Sequence, residues 1–169
     1  NANVHGYLNI YLNNSTANLI SFDTALVYHT AFYCKSTAIN DIDGDKRPDI
    51  VTADYLTNKV SVLQNETTLQ KTAFVLRQNL YAGLYPTSVC LRDLDGNGKP
   101  DIVVTNEVGA IAFFRNLSSV DNINFDERES DSIPTAGCSS VAVGDMDGDG
   151  KLDLIIANAF TTNISVLRN

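Results

Sequence analysis

Short apolar runs, about three to five residues long and rich in β-branched side chains, follow one another along the chain with turn-forming residues between them. Ile50, Val51 and Thr52 make one such run, Ile102, Val103 and Val104 another, and Leu154, Ile155, Ile156 and Ala157 a third, and each reads as a buried strand. No window of useful length places apolar residues at helical spacing. Asn, Asp, Gly, Ser and Thr fill the gaps, as tight turns require. One unit reads as strand A (36–42), an acidic loop, strand B (50–54), a short turn, strand C (59–64) and strand D (73–79).

The unit recurs at a fixed step. DIDGDKRPD at 41–49, DLDGNGKPD at 93–101 and DMDGDGKLD at 145–153 are each 52 residues apart. A period of this length signals a repeat architecture. Upstream of the loops, YCKSTAIND, YPTSVCLRD and GCSSVAVGD align without a gap, with Ser36, Ser88 and Ser140 in one column. Downstream, Asn13, Asn65, Asn116 and Asn169 close the runs LNIYLN, VSVLQN, AFFRN and ISVLRN, and Phe22, Phe74 and Phe125 follow nine residues after the first three. Four antiparallel strands repeated radially are the blade of a β-propeller. The predicted class is therefore all-β, with four-stranded antiparallel propeller blades in three sequence repeats. The expected division is a single repeat domain over 1–169, with 1–13 the terminal strand of a preceding repeat and repeats at 14–65, 66–116 and 117–169.

Four carboxylates within a few ångströms repel one another unless a counter-charge joins them. Because each acidic loop runs straight into a buried strand, it is not a solvated tail, and a cation site is the reading that remains. In each loop the side chains at positions 1, 3, 5 and 9 can converge on one point, and the carbonyl of position 7 can join them. The expected ligands are Asp41, Asp43, Asp45, the Arg47 carbonyl and Asp49; Asp93, Asp95, Asn97, the Lys99 carbonyl and Asp101; and Asp145, Asp147, Asp149, the Lys151 carbonyl and Asp153. Hard oxygen donors in that number select calcium over magnesium or a transition metal. Gly44, Gly96 and Gly148 let the backbone curl, and Gly98 and Gly150 supply a positive φ that Lys46 must adopt in the first loop. Asn97 keeps an oxygen but removes a charge, which weakens the second site.

An EF-hand loop begins in the same way but needs a bidentate Glu at position 12 and flanking helices; position 12 here is Thr52, Val104 or Ile156, and strands flank the loops. Asp/Gly turns that only cap a hairpin would carry one or two acids, not three or four at fixed offsets three times over.

The net charge of −8 is largely local, since eleven of the twenty acidic residues lie in the three loops; three divalent cations would bring it to −2. No basic patch suggests nucleic acid, and the longest apolar runs, about five residues, are too short to span a bilayer as a helix. Residues 1–13 resemble a strand C, so no signal peptide is expected at the start. Cys34, Cys90 and Cys138 are too few for a disulfide framework and are expected as buried thiols. The two histidines, His5 and His29, stand outside every repeat column, which leaves acid–base catalysis without an evident residue.

DxDGxGxxD followed by an apolar strand, a strand ending in Asn and then Phe resembles the FG-GAP repeat and its VCBS form, found in the β-propeller of integrin α subunits and in many secreted or cell-surface proteins. The resemblance covers essentially the whole chain and implies calcium in the loop between strands A and B of each blade, on the face opposite the one that meets ligands. Without tidy FG or GAP tripeptides, the chain is closer to the VCBS form. Propellers of this family close with about seven blades. Three repeats imply a portion of a longer propeller or a ring closed by association, two copies supplying six strands A. The expected function is a non-enzymatic calcium-binding scaffold, extracellular or at the cell surface, for protein or glycan recognition in adhesion. The alternatives are a structural self-associating unit, dimerising through open blade edges, and a lectin-type glycan binder. Tyr55, Tyr81, Tyr85 and Phe160 on the turns away from the metal are candidate contacts, against packing between blades as their other role. Asn13, Asn14, Asn65, Asn116 and Asn163 begin N-x-[ST] sequons.

Overall fold

The computed structural model describes residues 6–30, 33–126 and 137–169, and every element among them is a β-strand. No helix there is long and apolar enough to cross a membrane. The strands are β1 (Gly6–Ile10), β2 (Leu26–Thr30), β3 (Cys34–Asn40), β4 (Asp49–Asp54), β5 (Lys59–Asn65), β6 (Phe74–Tyr81), β7 (Pro86–Arg92), β8 (Asp101–Asn106), β9 (Ile111–Asn116), β10 (Phe125–Asp126), β11 (Cys138–Gly144), β12 (Asp153–Asn158) and β13 (Ile164–Leu167). They form four antiparallel sheets: β1–β2, β3–β4–β5–β6, β7–β8–β9–β10 and β11–β12–β13. The second and third sheets are complete four-stranded blades in the expected order A to D, and the fourth holds strands A, B and C.

The observed strand A of the first blade begins and ends two residues earlier than the apolar pattern suggests. From Asp41 onward the backbone amides serve the loop: the Asp41 N–H donates to Asn40 Oδ1 at 2.9 Å and the Ile42 N–H to Asp49 Oδ2 at 3.0 Å. Strand D runs two residues further than expected because Tyr81 still pairs with Lys59. The nine-residue step from Asn to Phe is a hairpin register, with Asn13 opposite Phe22, Asn65 opposite Phe74 and Asn116 opposite Phe125.

Strand alternation sends successive side chains to opposite faces of a sheet. In β8 it sends Ile102 and Val104 towards the first blade, where they join Val51, Ala53, Val60, Val62 and Leu80, while Val103 packs with Ile111, Cys138, Val141, Leu154 and Ile156 on the side of the third blade. The hydrophobic core thus lies between blades, and β4 and β8 are buried at all six positions. Burial of this kind stabilises at roughly 25 cal/mol per Å² of apolar surface.

The serine column ties blade to blade. Ser36 Oγ accepts from the Val89 N–H at 3.3 Å, and one repeat later Ser88 Oγ accepts from the Val141 N–H at 3.4 Å. A β-bulge immediately precedes each serine, between Cys34 and Ser36, Pro86 and Ser88, and Cys138 and Ser140. Bulges re-aim side chains; the bulged Thr87 donates from Oγ1 to the Cys138 carbonyl of the next blade at 2.7 Å.

Candidate metal centres

The three acidic loops join strands A and B at one end of each blade and repeat one hydrogen-bond pattern. Position 1 is gripped twice by its own loop: Asp41 accepts from Gly44 and Lys46 at 2.8 and 2.9 Å, Asp93 from Asn97 and Gly98 at 3.0 and 2.8 Å, and Asp145 from Gly148 and Gly150 at 2.7 and 2.9 Å. Position 3 accepts from the amide of position 5, and position 5 from that of position 7, in all three loops. Position 9 spans strands: Asp49 accepts from Ile42 and Asn65, Asp101 from Leu94 and Asn116, and Asp153 from Met146 and Asn169, all at 2.8–3.0 Å. Lys46 does adopt the left-handed conformation, φ 70°, where the other two loops have Gly98 at 82° and Gly150 at 87°.

Carboxylate oxygens converge in each loop to within 4.8 Å of one another, from Asp41, Asp43 and Asp45, from Asp93, Asp95 and Asp101, and from Asp145, Asp147 and Asp153. Asp49 and Asp149 stand outside these trios, and Asn97 offers an amide oxygen that is already bonded to the Lys99 N–H. Arg47, Lys99 and Lys151 each donate the backbone N–H to the position-5 side chain, and Arg47 also brings its guanidinium to Asp45.

The donor set suits a hard cation. All the convergent atoms are carboxylate oxygens. Asp45 Oδ2, on a side chain only 4% exposed, receives no directed hydrogen bond and is met instead by the Arg47 guanidinium. Burial pushes the Asp49 carboxyl up to about 6 against the pull of the Asn65 and Ile42 amides, with Asp43 and Asp45 adding to the rise. Burial likewise raises Asp101. Asp153 goes the other way, held below the usual carboxylate range by the amides of Asn169 and Met146, with Arg168 and Lys151 beside it.

The residue before the closing asparagine escaped the sequence reading. Gln64 Nε2 donates to Asp43 Oδ2 at 2.6 Å, Arg115 Nε to Asp95 Oδ2 at 2.6 Å, and Arg168 pairs with Asp147 and, at 3.9 Å, with Asp149. The only signal for it was its column, in the triplets LQN, FRN and LRN. The asparagine itself has a structural task that the sequence showed but did not explain. Asn65 and Asn116 are buried; each accepts from the amide two residues on and donates to the carbonyl of Pro48 or Pro100, and Asn116 also reaches the Ile42 carbonyl of the neighbouring blade. Two of the five sequons are thus buried turn motifs, whereas Asn13, Asn14 and Asn163 are exposed.

At the opposite end of the blades, Tyr33, Tyr55 and Tyr85 form a continuous row with ring centroids 5.9 and 5.1 Å apart. The Lys35 ammonium lies 4.8 Å from the Tyr55 centroid and 5.4 Å from that of Tyr33, and the Tyr55 hydroxyl donates to Glu107, which raises it to about 12. Tyr33 and Tyr85 hold positive φ, 61° and 57°. Gly137 takes their place in the third repeat, where a Cβ would run into the Phe160 ring. Of the expected contacts, Tyr81, Tyr85 and Phe160 are exposed and Tyr55 is half-buried. Sequence reasoning missed Tyr33, Lys35 and Glu107.

Burial raises the Cys34 and Cys90 thiols to about 11, and Cys34, Cys90 and Cys138 form no disulfide. The Tyr7 and His29 rings lie 5.1 Å apart, while His5 lies outside the described residues.

A repeated four-stranded blade with an aspartate-rich A–B loop defines a β-propeller-type repeat protein. The chain belongs to the FG-GAP-like repeat family, whose model matches residues 41–104 and again 93–156. None of the curated proteins matches it.

Proposed function

We propose that this chain is a calcium-binding, non-enzymatic propeller scaffold that recognises a protein or a glycan outside the cell. The observation that carries this reading is the convergence of three carboxylates in each of the three loops. Extracellular calcium, at roughly millimolar concentration, fills even weak sites of this type. Calcium, when bound, supplies the positive charge that offsets the crowding of carboxylates. The chain's own residues form the cradle: Asp41, Asp93 and Asp145 wrap each loop, and Asp49, Asp101 and Asp153 fasten it to strand C.

The row of Tyr33, Tyr55 and Tyr85 supports recognition at the face away from the metal. Rigid aromatic rings at the surface offer contact area at low entropic cost. Inert thiols and the absence of histidine from the repeat columns support a scaffold in place of an enzyme.

Thermal unfolding in calcium and then in excess chelator tests the metal. At calcium about 100-fold above Kd each occupied site adds about 2.7 kcal/mol, so chelation should lower Tm by several degrees. Asp95→Ala and Asp147→Ala should shrink that difference; an unchanged Tm overturns the reading. Binding to immobilised glycans and matrix proteins, compared with Tyr55→Ala and Tyr85→Ala, tests the recognition face.

Self-association is a second reading, favoured by β13, whose Ile164 and Val166 are 65% and 53% exposed on a strand without an outer neighbour among the described residues. Unpaired edges invite strand addition. Yet β1 already holds the strand-C place beside β2, so joining β1–β2 of one copy to β11–β12–β13 of another leaves two strands C in one blade. A six-bladed ring therefore requires β1 to move. A solution mass of two chains by light scattering supports association, and that of one chain excludes it.

A further inference from the structure

We propose that the residue immediately before Asn65, Asn116 and Asn169 sets the strength of the metal site in its own blade, with Arg115 and Arg168 acting as built-in counter-ions and Gln64 as a neutral positioning residue. The inference rests on the reading of the acidic loops as calcium sites. In all three blades this residue, twenty or twenty-one positions away along the chain, reaches back from strand C, or in Arg168 from just past its end, to Oδ2 of the position-3 aspartate. The other oxygen of that aspartate faces its own loop, accepting the amide of position 5 at 3.1–3.2 Å. One carboxylate is thus shared between the loop and the neighbouring strand.

What the strand offers differs in charge. Gln64 brings none: its amide nitrogen donates to Asp43 while its oxygen accepts from Arg77 Nε at 2.6 Å, which fixes the amide's orientation. Arg115 and Arg168 bring a full positive charge to Asp95 and Asp147. A calcium ion entering the loop must share that carboxylate with a guanidinium or displace it, and either course lowers the affinity.

Loop composition compounds the difference. The first loop has four aspartates with Arg47 beside Asp45, the third has four with Arg168, and the second has only three, with Asn97 at position 5, beside Arg115. Lys99 does not add to the load, because its ammonium is turned away to the Ser118 carbonyl at 2.6 Å. The second site is consequently the weakest of the three. Affinity at oxygen sites follows the count of ligand charges.

The same arginines stabilise the metal-free loops. They supply opposite charge where carboxylates crowd, so the second and third blades depend less on calcium than they would with a neutral residue in this column. The pairs are partly exposed, at 49% for Arg115 and 71% for Arg168, so the effect is moderate and screened by salt.

The test is calcium titration of the metal-stripped chain by calorimetry at low salt, with wild type, Arg115→Gln, Arg115→Lys, Arg168→Gln and Gln64→Arg. Removing one exposed counter-ion should tighten the affected site about two- to five-fold. Arg115→Lys should stay near wild type, Gln64→Arg should loosen one site, and the gain in Arg115→Gln should shrink at 0.5 M salt. Circular dichroism of each metal-free variant verifies that it folds. Unchanged or weaker binding in both Arg115→Gln and Arg168→Gln, with wild type binding normally, overturns this inference alone. Failure of wild type to bind calcium at all overturns the reading of the loops as metal sites, and this inference with it.

Discussion

The first and third acidic loops share a backbone trace and a hydrogen-bond pattern, yet their ninth-position aspartates differ in charge behaviour. Asp49 sits beneath a complete four-stranded blade, and burial raises it to about 6. Asp153 closes the same bonds in a three-stranded sheet, and amide donors with nearby Arg168 and Lys151 lower it. Identical local geometry therefore does not fix the electrostatics of a site. The charges that the surrounding chain brings to it do: Asp43 and Asp45 crowd Asp49, whereas Arg168 and Lys151 stand by Asp153.

Ways to sharpen this contrast run from core packing to the surface. The largest effect is expected from Ile102→Ala, which hollows the layer between the first two blades and should cost about 2–5 kcal/mol in urea unfolding. Next, Asn116→Ala should cost about 1–3 kcal/mol, because it leaves the Ile42 and Pro100 carbonyls unmet. Asn169→Ala, in the same column of the third blade but exposed, should cost far less, and equal losses would break the contrast.

A pH series on the metal-free chain separates the loops by sign. Native Asp49 keeps its proton up to about pH 6, whereas the unfolded chain releases it near 3.8, so its ionisation removes stability as pH rises from about 4 to about 6. Asp153 is shifted the other way: its stabilisation is present above 3.8 and is lost as pH falls through the lower folded value. Asp49→Asn should flatten the first trend, worth on the order of 1–2 kcal/mol, while Asp153→Asn should remove only stability seen above pH 4. Tm measured between pH 3 and 7 tests both. The smallest effect belongs to Val166→Lys on the open edge of β13, under about 0.5 kcal/mol by urea unfolding, since the side chain is already half in water. A larger loss would mean that the edge is covered in solution.

Much of the fold was legible in the sequence because the signals are local. Each acidic loop is nine residues long, and its turn geometry follows from glycines and aspartates acting on amides two to five positions away. The unbroken apolar run of Ile102, Val103 and Val104 likewise announced a buried strand. The end of strand A was misplaced because Asp41 and Ile42 look strand-like in pattern while their amides serve the loop. The tyrosine row was half seen: Tyr55 and Tyr85 stood out, but Tyr33 enters through its fold contact with Tyr55, 22 positions away.

The sequence by itself determined the repeat, the order of the strands and the acidic loops, since each arises from residues close together along the chain. Tertiary structure alone decided which serine meets the next blade, as when Ser36 accepts from Val89, 53 positions on, and which strand side chain holds the third-position aspartate. It also decided that Asp49 and Asp153, alike in sequence, are shifted in opposite directions from the usual carboxylate range. Desolvation and charge pairing depend on what the folded chain stacks against a group, and no local pattern of residues encodes that.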